Sequence, residues 1–429
     1  MQKSYPVLKA LLPIALLLVM GIQACKKDKA PAPAPAPTKD VLNEHTTNMV
    51  LDMRLSLDTY FDVTGVIGRE LYRFSPSEPR YTTELLGSGA SVPGNSQFYI
   101  TGPWQARYKV VRLGTQLIKD AASSTIITDA ERRGYTGIAK TIMAHELLLN
   151  LNLTYTNGIY INLAADNPAS GPVVPAPAAL DTIARLLDEA KTLLSGAAMP
   201  PLPSGFKDYS DAPGFVKINR ALAARVAIYR QQWAAALTAL NESFLNLTGD
   251  LNAGPKHAFA TFQGDILNPC FIDKNQNGNV RLAHPSFATG IIASDDRLAK
   301  TSLRTNSVTM DGLTANRDLW IYTSNVTSFP VIRNEELILM YAEAKIQNTS
   351  LPDAIVALNK IRTSHNLGVY AGGVTQASLI TEMLNQRRYS LAFEGHYWVD
   401  MRRYSRLSQL PIDRTGDDVW EKLPLPAVN

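Results

Sequence analysis

Two stretches of this chain share one pattern: an alanine-rich apolar stripe at helical spacing, a short polar break, and a second such stripe. The first is Arg220-Ala-Leu-Ala-Ala-Arg-Val-Ala-Ile-Tyr229, then Arg230-Gln231-Gln232, then Trp233-Ala-Ala-Ala-Leu-Thr-Ala-Leu240. The second is Leu337-Ile-Leu-Met-Tyr-Ala-Glu-Ala344, a turn at Asn348 to Pro352, and Ala354-Ile-Val-Ala-Leu-Asn-Lys-Ile361. Alanine is the best helix former, and its small side chain lets two antiparallel helices approach closely. Apolar residues three and four apart line one face of a helix, whereas a half-buried strand needs strict alternation. The chain is therefore committed to helix-on-helix packing.

From Ala227 to Ala236 is nine positions and from Ala344 to Ala354 is ten. That spacing has the packing logic of tetratricopeptide repeats; two unrelated helical hairpins in one core are the alternative. Further helices are predicted over Val41 to Tyr60, over Trp104 to Lys119, and from a cap at Thr128 or Asp129 through Ile138, Ile142, Leu147 and Leu151. A proline-rich stretch, Asn167 to Pro177, precedes another over Ala178 to Leu194. Between the two alanine-rich pairs, residues 249–330 lose helical periodicity and are rich in Asn, Asp, Gly, Ser and Thr. The expected fold is mostly α: a tetratricopeptide-like scaffold of helical hairpins in a body over 39–429. Residues 249–330 form an irregular, loop-rich insertion with a few short strands, the kind of region that holds binding residues.

The N-terminus reads as an export leader over 1–24. Lys3 and Lys9 precede the apolar run Leu11 to Met20, which is too short for a span of about 20 residues but fits a signal-peptide core. Gly21-Ile22-Gln23-Ala24-Cys25 then looks like a bacterial lipobox, which makes Cys25 the lipidated first residue of the mature chain. The segment 25–38 continues with Ala-Pro alternation from Ala30 to Pro37, an extended, semi-rigid spacer. With Cys25 acylated, the only other cysteine, Cys270, has no disulfide partner. The formal charge is +4, and removal of Lys3 and Lys9 leaves about +2, too little for a nucleic-acid partner recognised by charge.

Catalytic patterns are absent: there is no Gly-x-Ser-x-Gly elbow and no phosphate loop. His145-Glu146 lacks the second histidine of a zinc helix, and the six histidines show no ligand spacing. Asp273-Lys-Asn275-Gln-Asn277-Gly278 alternates oxygen side chains like a calcium loop, but His284 occupies the twelfth position where a carboxylate closes the cage. It is read as an Asn-Gly surface turn. No catalytic residue, metal ligand or cofactor is assigned.

The most specific stretch is Gln386-Arg-Arg-Tyr-Ser-Leu-Ala-Phe-Glu-Gly-His-Tyr-Trp-Val-Asp-Met-Arg-Arg403. It resembles the signature of the SusD/RagB family of outer-membrane nutrient-binding lipoproteins of Bacteroidota. Arg387, Leu391, Ala392, Phe393, Glu394, Gly395, Asp400 and Arg403 agree; Gln386 and Ser390 stand where acids are usual, and Tyr397 where Arg is usual. Trp104-Gln-Ala-Arg-Tyr108, residues 219–247, Arg333 to Ala344 with Leu358 to Arg362, and Leu423-Pro-Leu-Pro426 are similar to the family in the expected order. The charged motif residues are read as a partly buried ion-pair network holding the last helix to the repeats.

The resemblance implies a lipid-anchored protein on the outer membrane, exposed at the cell surface. It would capture an oligosaccharide and deliver it to a SusC-type TonB-dependent transporter. Peptide capture on the same fold, or a helical-repeat scaffold without a small ligand, are the alternatives. Sugar rings present flat apolar faces, so candidate ligand residues are aromatics and amides on the loops. These are Tyr81, Gln97 and Tyr99 in one loop, and Trp320, Tyr322 and Asn325 in the insertion, with Tyr99 and Trp320 leading. Core packing is the competing role for each aromatic.

Overall fold

Thr38 accepts a hydrogen bond from the Val41 amide and so starts helix α1 (Lys39–Asp52). The computed structural model describes residues 36–427; the leader, Cys25 and the start of the Ala-Pro segment lie outside the described residues. The helix predicted over Val41 to Tyr60 is in fact two, α1 and α2 (Leu57–Ile67), separated by a turn in which Ser56 is left-handed (φ 52°). A buried arginine explains the break. Arg107 donates to the carbonyls of Met53 (2.8 Å) and Leu55, so these acceptors are not used by a continuing helix.

Helix α3 (Phe98–Ser123) is longer than the predicted Trp104–Lys119, and accommodates Pro103 in its second turn. Helix α4 (Asp129–Thr154) begins at the predicted cap. Thr128 and Glu131 form a reciprocal capping box, with Thr128 Oγ1 accepting from the Glu131 amide and Glu131 accepting from the Thr128 amide. Helix α5 (Ala176–Leu194) buries Ile183, Leu186, Leu187, Ala190 and Leu194. The alanine-rich pairs are α6 (Ala212–Tyr229) with α7 (Trp233–Asn241), and α9 (Asn334–Gln347) with α10 (Leu351–Ser364); a short α8 (Pro285–Gly290) lies between them. Each pair turns through one left-handed residue, Gln231 or Thr349. Packing runs in tandem from α3 to α4, α5, α6, α7, α9 and α10, and α11 (Gln376–Ser390) closes on α9 and α10. The fold is mostly α with a few short strands, as the sequence predicts, and this succession is tetratricopeptide-like.

The strands are β1 (Leu71–Phe74), β2 (Ile159–Tyr160), β3 (Val173–Val174), β4 (Lys256–His257), β5 (Val280–Ala283), β6 (Thr301–Met310), β7 (Leu313–Leu319) and β8 (Phe329–Pro330). One antiparallel sheet has the order β1-β5-β7-β6; β2 pairs β3, and β4 pairs β8. The β6–β7 hairpin turns at Asp311-Gly312, both with positive φ (51° and 78°), which is what a two-residue hairpin loop twisted to match its strands requires. The sheet packs on α2 through a second core containing Phe61, Tyr72, Phe74, Leu282 and Phe393.

The signature stretch ends α11, makes a turn at 391–395, and forms α12 (Tyr397–Arg403). Asp400 accepts from Arg387 (2.6 Å) and Arg403 (2.8 Å), and Arg403 reaches Glu343 of α9 (2.8 Å). The last helix is thus tied to the repeats by buried charge. Where acids are usual, Gln386 and Ser390 both accept from Arg297 (2.7 and 2.9 Å), whose charge is met by Asp295 (2.6 Å). Tyr397 lies under the Arg388 guanidinium (5.1 Å). Phe393 is left-handed (φ 61°); its ring is buried and its amide donates to Glu70.

Candidate functional site

Asp58 and Asp62 lie one turn apart on α2, and β1 and β5 bring two arginines toward them. Arg73 and Arg281 are directly opposed across the β1–β5 ladder. Two cations on one face of a strand pair repel, and Asp62 resolves this. It accepts from Arg281 Nε (2.6 Å) and Nη2 (2.9 Å), and from Arg73 Nε (3.2 Å). Arg281 also donates to the carbonyls of Pro269 and Cys270 (both 3.1 Å), which fixes the loop leading to Phe271. Cys270 is buried, and burial raises its thiol far above the usual range.

Asp58, Arg73, Pro269 and Arg281 line a cleft of about 330 Å³ together with Phe271, Asp273, Gln276 and Asn279. Asp58 lies 3.6 Å from Arg281 and stays partly exposed. Burial raises its carboxyl above the ordinary value, Arg281 opposes this, and Asp62 adds to it. The cleft thus presents a guanidinium edge, carboxylates, amides and one aromatic ring to solvent. Trp320 extends the aromatic surface: its ring is 6.1 Å from that of Phe271, and the Lys274 ammonium sits 4.3 Å over it. The Asp273–Asn279 segment is tied to the hairpin, since the Asn275 amide donates to Asp318 and its side chain accepts from Thr305. His284, the residue at the twelfth position of that segment, binds Asp413 (3.0 Å) and Ser286 (2.8 Å).

The six residues singled out in the sequence fall into three environments. Tyr99 is fully enclosed and Tyr81 nearly so; both pack edge-on against Phe98, and Arg73 of the cleft lies 5.6 Å over the Tyr81 ring. The Tyr99 hydroxyl donates to Glu84 and accepts from the Gly94 amide, and Gln97 accepts from Arg80. Tyr322 is buried between Phe329 and Phe393. Trp320 and Asn325 remain at the surface; the Asn325 carbonyl accepts from Asn268 (2.8 Å), at the base of the Phe271 loop. Tyr81 and Tyr99 thus pack around Phe98, with Gln97 on Arg80 beside it and Tyr81 against Arg73 of the cleft; Trp320 packs on Phe271, and Asn325 bonds Asn268. Sequence reasoning missed Asp58, Arg73, Phe271, Gln276 and Asn279. Only the Asp58–Asp62 spacing on one helix face was a usable signal.

A second depression of about 500 Å³ lies between α1 and residues 201–206 and 256–265. Its charged pair, Arg54 and Asp265, is already joined at 2.6 Å, and it is otherwise largely apolar. Among the described residues no helix is long and apolar enough to cross a membrane.

Residues 295–421 match the sequence model of the SusD family. Among curated proteins there is no match. Among solved structures, a SusD superfamily protein from Bacteroides vulgatus is 15% identical, with a TM-score of 0.66 over 89% of this chain and 91% of that one. Surface glycan-binding protein A from Bacteroides thetaiotaomicron, solved with laminarihexaose, is 13% identical (TM-score 0.68, 91% and 97% covered). NanU of B. fragilis is 15% identical (TM-score 0.63, 88% and 91%). At these identities the likeness is one of fold. The resemblance read from the C-terminal signature is thereby borne out: the chain has the SusD fold, and its residues 295–421 match the SusD family sequence.

Proposed function

We propose that this protein captures oligosaccharides at the cell surface, in the cleft beside Trp320, and passes them to a SusC-type TonB-dependent transporter. In this reading 1–24 is the leader, 25–38 the lipidated stalk, and 39–429 the binding body. Lipid on Cys25 holds it to the outer membrane, and 249–330 is the insertion that carries most of the site. The protein acts by binding, without catalysing a reaction. The observation that carries the proposal is the pairing of the Trp320 and Phe271 rings beside a recess lined by Asp273, Gln276, Asn279 and the Arg73 edge. Rings accept the apolar C–H faces of a sugar, and the polar groups take its hydroxyls, as ligand sites combine apolar area with a few orienting donors. The neighbour solved with laminarihexaose makes glucan oligosaccharides a first member of any panel.

Affinity electrophoresis and calorimetry across polysaccharides and peptides test this. Trp320→Ala is expected to weaken glycan binding by about tenfold or more, the loss typical of an aromatic anchor. Tyr99→Ala is expected instead to destabilise the protein by about 3 kcal/mol, because a buried ring is removed. Glycan retardation unchanged by Trp320→Ala would move the site elsewhere. Binding of peptides alone would favour the peptide reading, and binding of neither the scaffold reading. Cys25→Ala is expected to abolish palmitate labelling and release the protein from the membrane fraction; a labelled Cys25→Ala protein would refute the anchor.

A further inference from the structure

Three histidines from distant parts of the chain meet in one small interior chamber. His145 comes from α4, His257 from β4, and His396 directly follows the signature turn; each is less than a tenth exposed. With Tyr60 of α2, Arg225 of α6 and Val331 after β8, they enclose about 30 Å³. The turn can come this close because Gly395 is left-handed (φ 79°), and a Cβ there would stand 2.7 Å from the Tyr60 ring. The chamber shares no residue with the cleft beside Trp320.

Size, charge and polarity each narrow what the chamber can hold. A volume of about 30 Å³ is the share of one molecule in liquid water, far too small for a sugar ring. Charge is already balanced: Arg225 donates to both oxygens of Glu336 (2.7 and 2.6 Å), and Glu394 lies 3.0 Å from Arg333. Burial lowers all three imidazoles below their usual range and so keeps them neutral at neutral pH. An ion of either sign would find no counter-charge. A neutral imidazole carries one N–H donor and one acceptor nitrogen. Nδ1 of His145 and Nδ1 of His396 are buried and have no partner among the described residues. The Tyr60 hydroxyl accepts from Asn152 (3.2 Å), which leaves its own proton to give. An apolar occupant would leave these groups unpaired, and an unpaired polar group inside a protein is costly. A neutral molecule the size of water that both donates and accepts meets all three conditions.

We infer that this chamber is a binding site for a single structural water molecule, which bridges the imidazoles and ties the signature turn to α2 and α4. A crystal structure of the protein with ordered solvent tests it. One peak is expected within about 3.2 Å of at least two of these polar side-chain atoms. Crystals soaked in bromide should show no anomalous scatterer there. Crystals under xenon should show no xenon, which enters dry apolar cavities. Val331→Ile adds a methylene to the chamber wall and should displace the water. Its urea midpoint is then expected below that of wild type, because the imidazoles lose a partner; the same substitution beside a dry void would raise the midpoint. A wild-type chamber without the peak overturns the inference, as does bromide or xenon within it. A Val331→Ile midpoint above wild type overturns it as well.

Discussion

Replacing Asp400 by alanine is expected to destabilise the protein by about 3–5 kcal/mol, a large share of a typical folding free energy. Asp400 is 1% exposed and accepts from Arg387 and Arg403 at once. Arg403 also binds Glu343, which takes a further bond from the Tyr404 hydroxyl (2.8 Å). Two guanidiniums and two carboxylates thus make a neutral network joining α9, α11 and α12. The arginines hold the Asp400 carboxyl below its ordinary value against the effect of burial. Without Asp400, two buried cations share one acid, and Arg387 loses its carboxylate. Asp400→Asn keeps acceptor capacity without the charge and should fall between. Arg387→Met with Asp400→Leu removes a cation and an anion together, and should cost less than Asp400→Ala alone. Urea denaturation followed by far-UV circular dichroism measures all three. An Asp400→Ala midpoint equal to wild type would show that the signature charges do not hold the fold.

The same network shows why so much of the fold was legible. Period, alanine content and caps are local properties, so α4 through α7, α9 and α10 follow from their own residues. The Thr128 box is present in four consecutive letters of sequence. Errors arose where a distant residue decides the outcome. Nothing in Val41 to Tyr60 shows that Arg107, on another helix, takes the carbonyls of Met53 and Leu55 and ends α1 early. The β6–β7 hairpin has a legible turn signal in Asp311-Gly312, but the strands beside it sit in a stretch whose Asn, Asp, Gly, Ser and Thr content reads as irregular.

The site was less legible than the scaffold, for a physical reason. An aromatic residue on a loop has the same sequence appearance whether its face is open or covered. Tyr99 and Tyr322 are covered by Phe98, Phe329 and Phe393, contacts set by tertiary packing. Trp320 stays only partly covered, with Lys274 over its ring and Phe271 beside it on a loop pinned by Arg281 to Asp62. That pin joins residues more than two hundred positions apart, and no local pattern encodes it.

Stability is expected to be level between about pH 6.5 and pH 4.5 and to fall steeply below, because two sets of buried groups oppose each other. His145, His257 and His396 line a cavity of about 30 Å³ near Arg225. Burial, then nearby arginines, lowers His257 to about 3 and His145 well below its usual 6.5; burial lowers His396 to about 4, against the pull of Glu336. A depressed folded value means the unfolded chain binds the proton first. Each histidine therefore contributes stability that is complete above pH 6.5 and is lost as pH falls toward the folded value. Glu70, Glu146 and Glu394 have the opposite sign. Burial raises Glu70 to about 8 and Glu146 to about 7, and raises Glu394 as well. Their contribution is complete below the ordinary 4.5 and is lost as pH rises through the raised values. Between 4.5 and 6.5 the histidines favour the unfolded chain on protonation and the glutamates the folded one, so their slopes oppose each other. Above 6.5 stability should decline as Glu146 and then Glu70 ionise, until about pH 8. There Lys300, lowered to about 8 by burial, begins to lose its proton in the folded chain first and opposes them. Below 4.5 the histidines are joined by Glu336, which Arg225 holds down at about 2 against the effect of burial, and by Glu335, which Arg333 and His365 hold well below the ordinary value against the same effect. Each uncompensated proton is worth about 1.4 kcal/mol per pH unit, so His257 alone contributes a slope of about that size between pH 4.5 and its folded value. His257→Gln cannot take up a proton at that position, and should flatten the acid limb by about 1.4 kcal/mol per pH unit while leaving the decline above pH 6.5 unchanged. Urea midpoints at matched pH values decide this. An acid limb equally steep in both proteins would mean that His257 is protonated as readily in the folded chain as in the unfolded one.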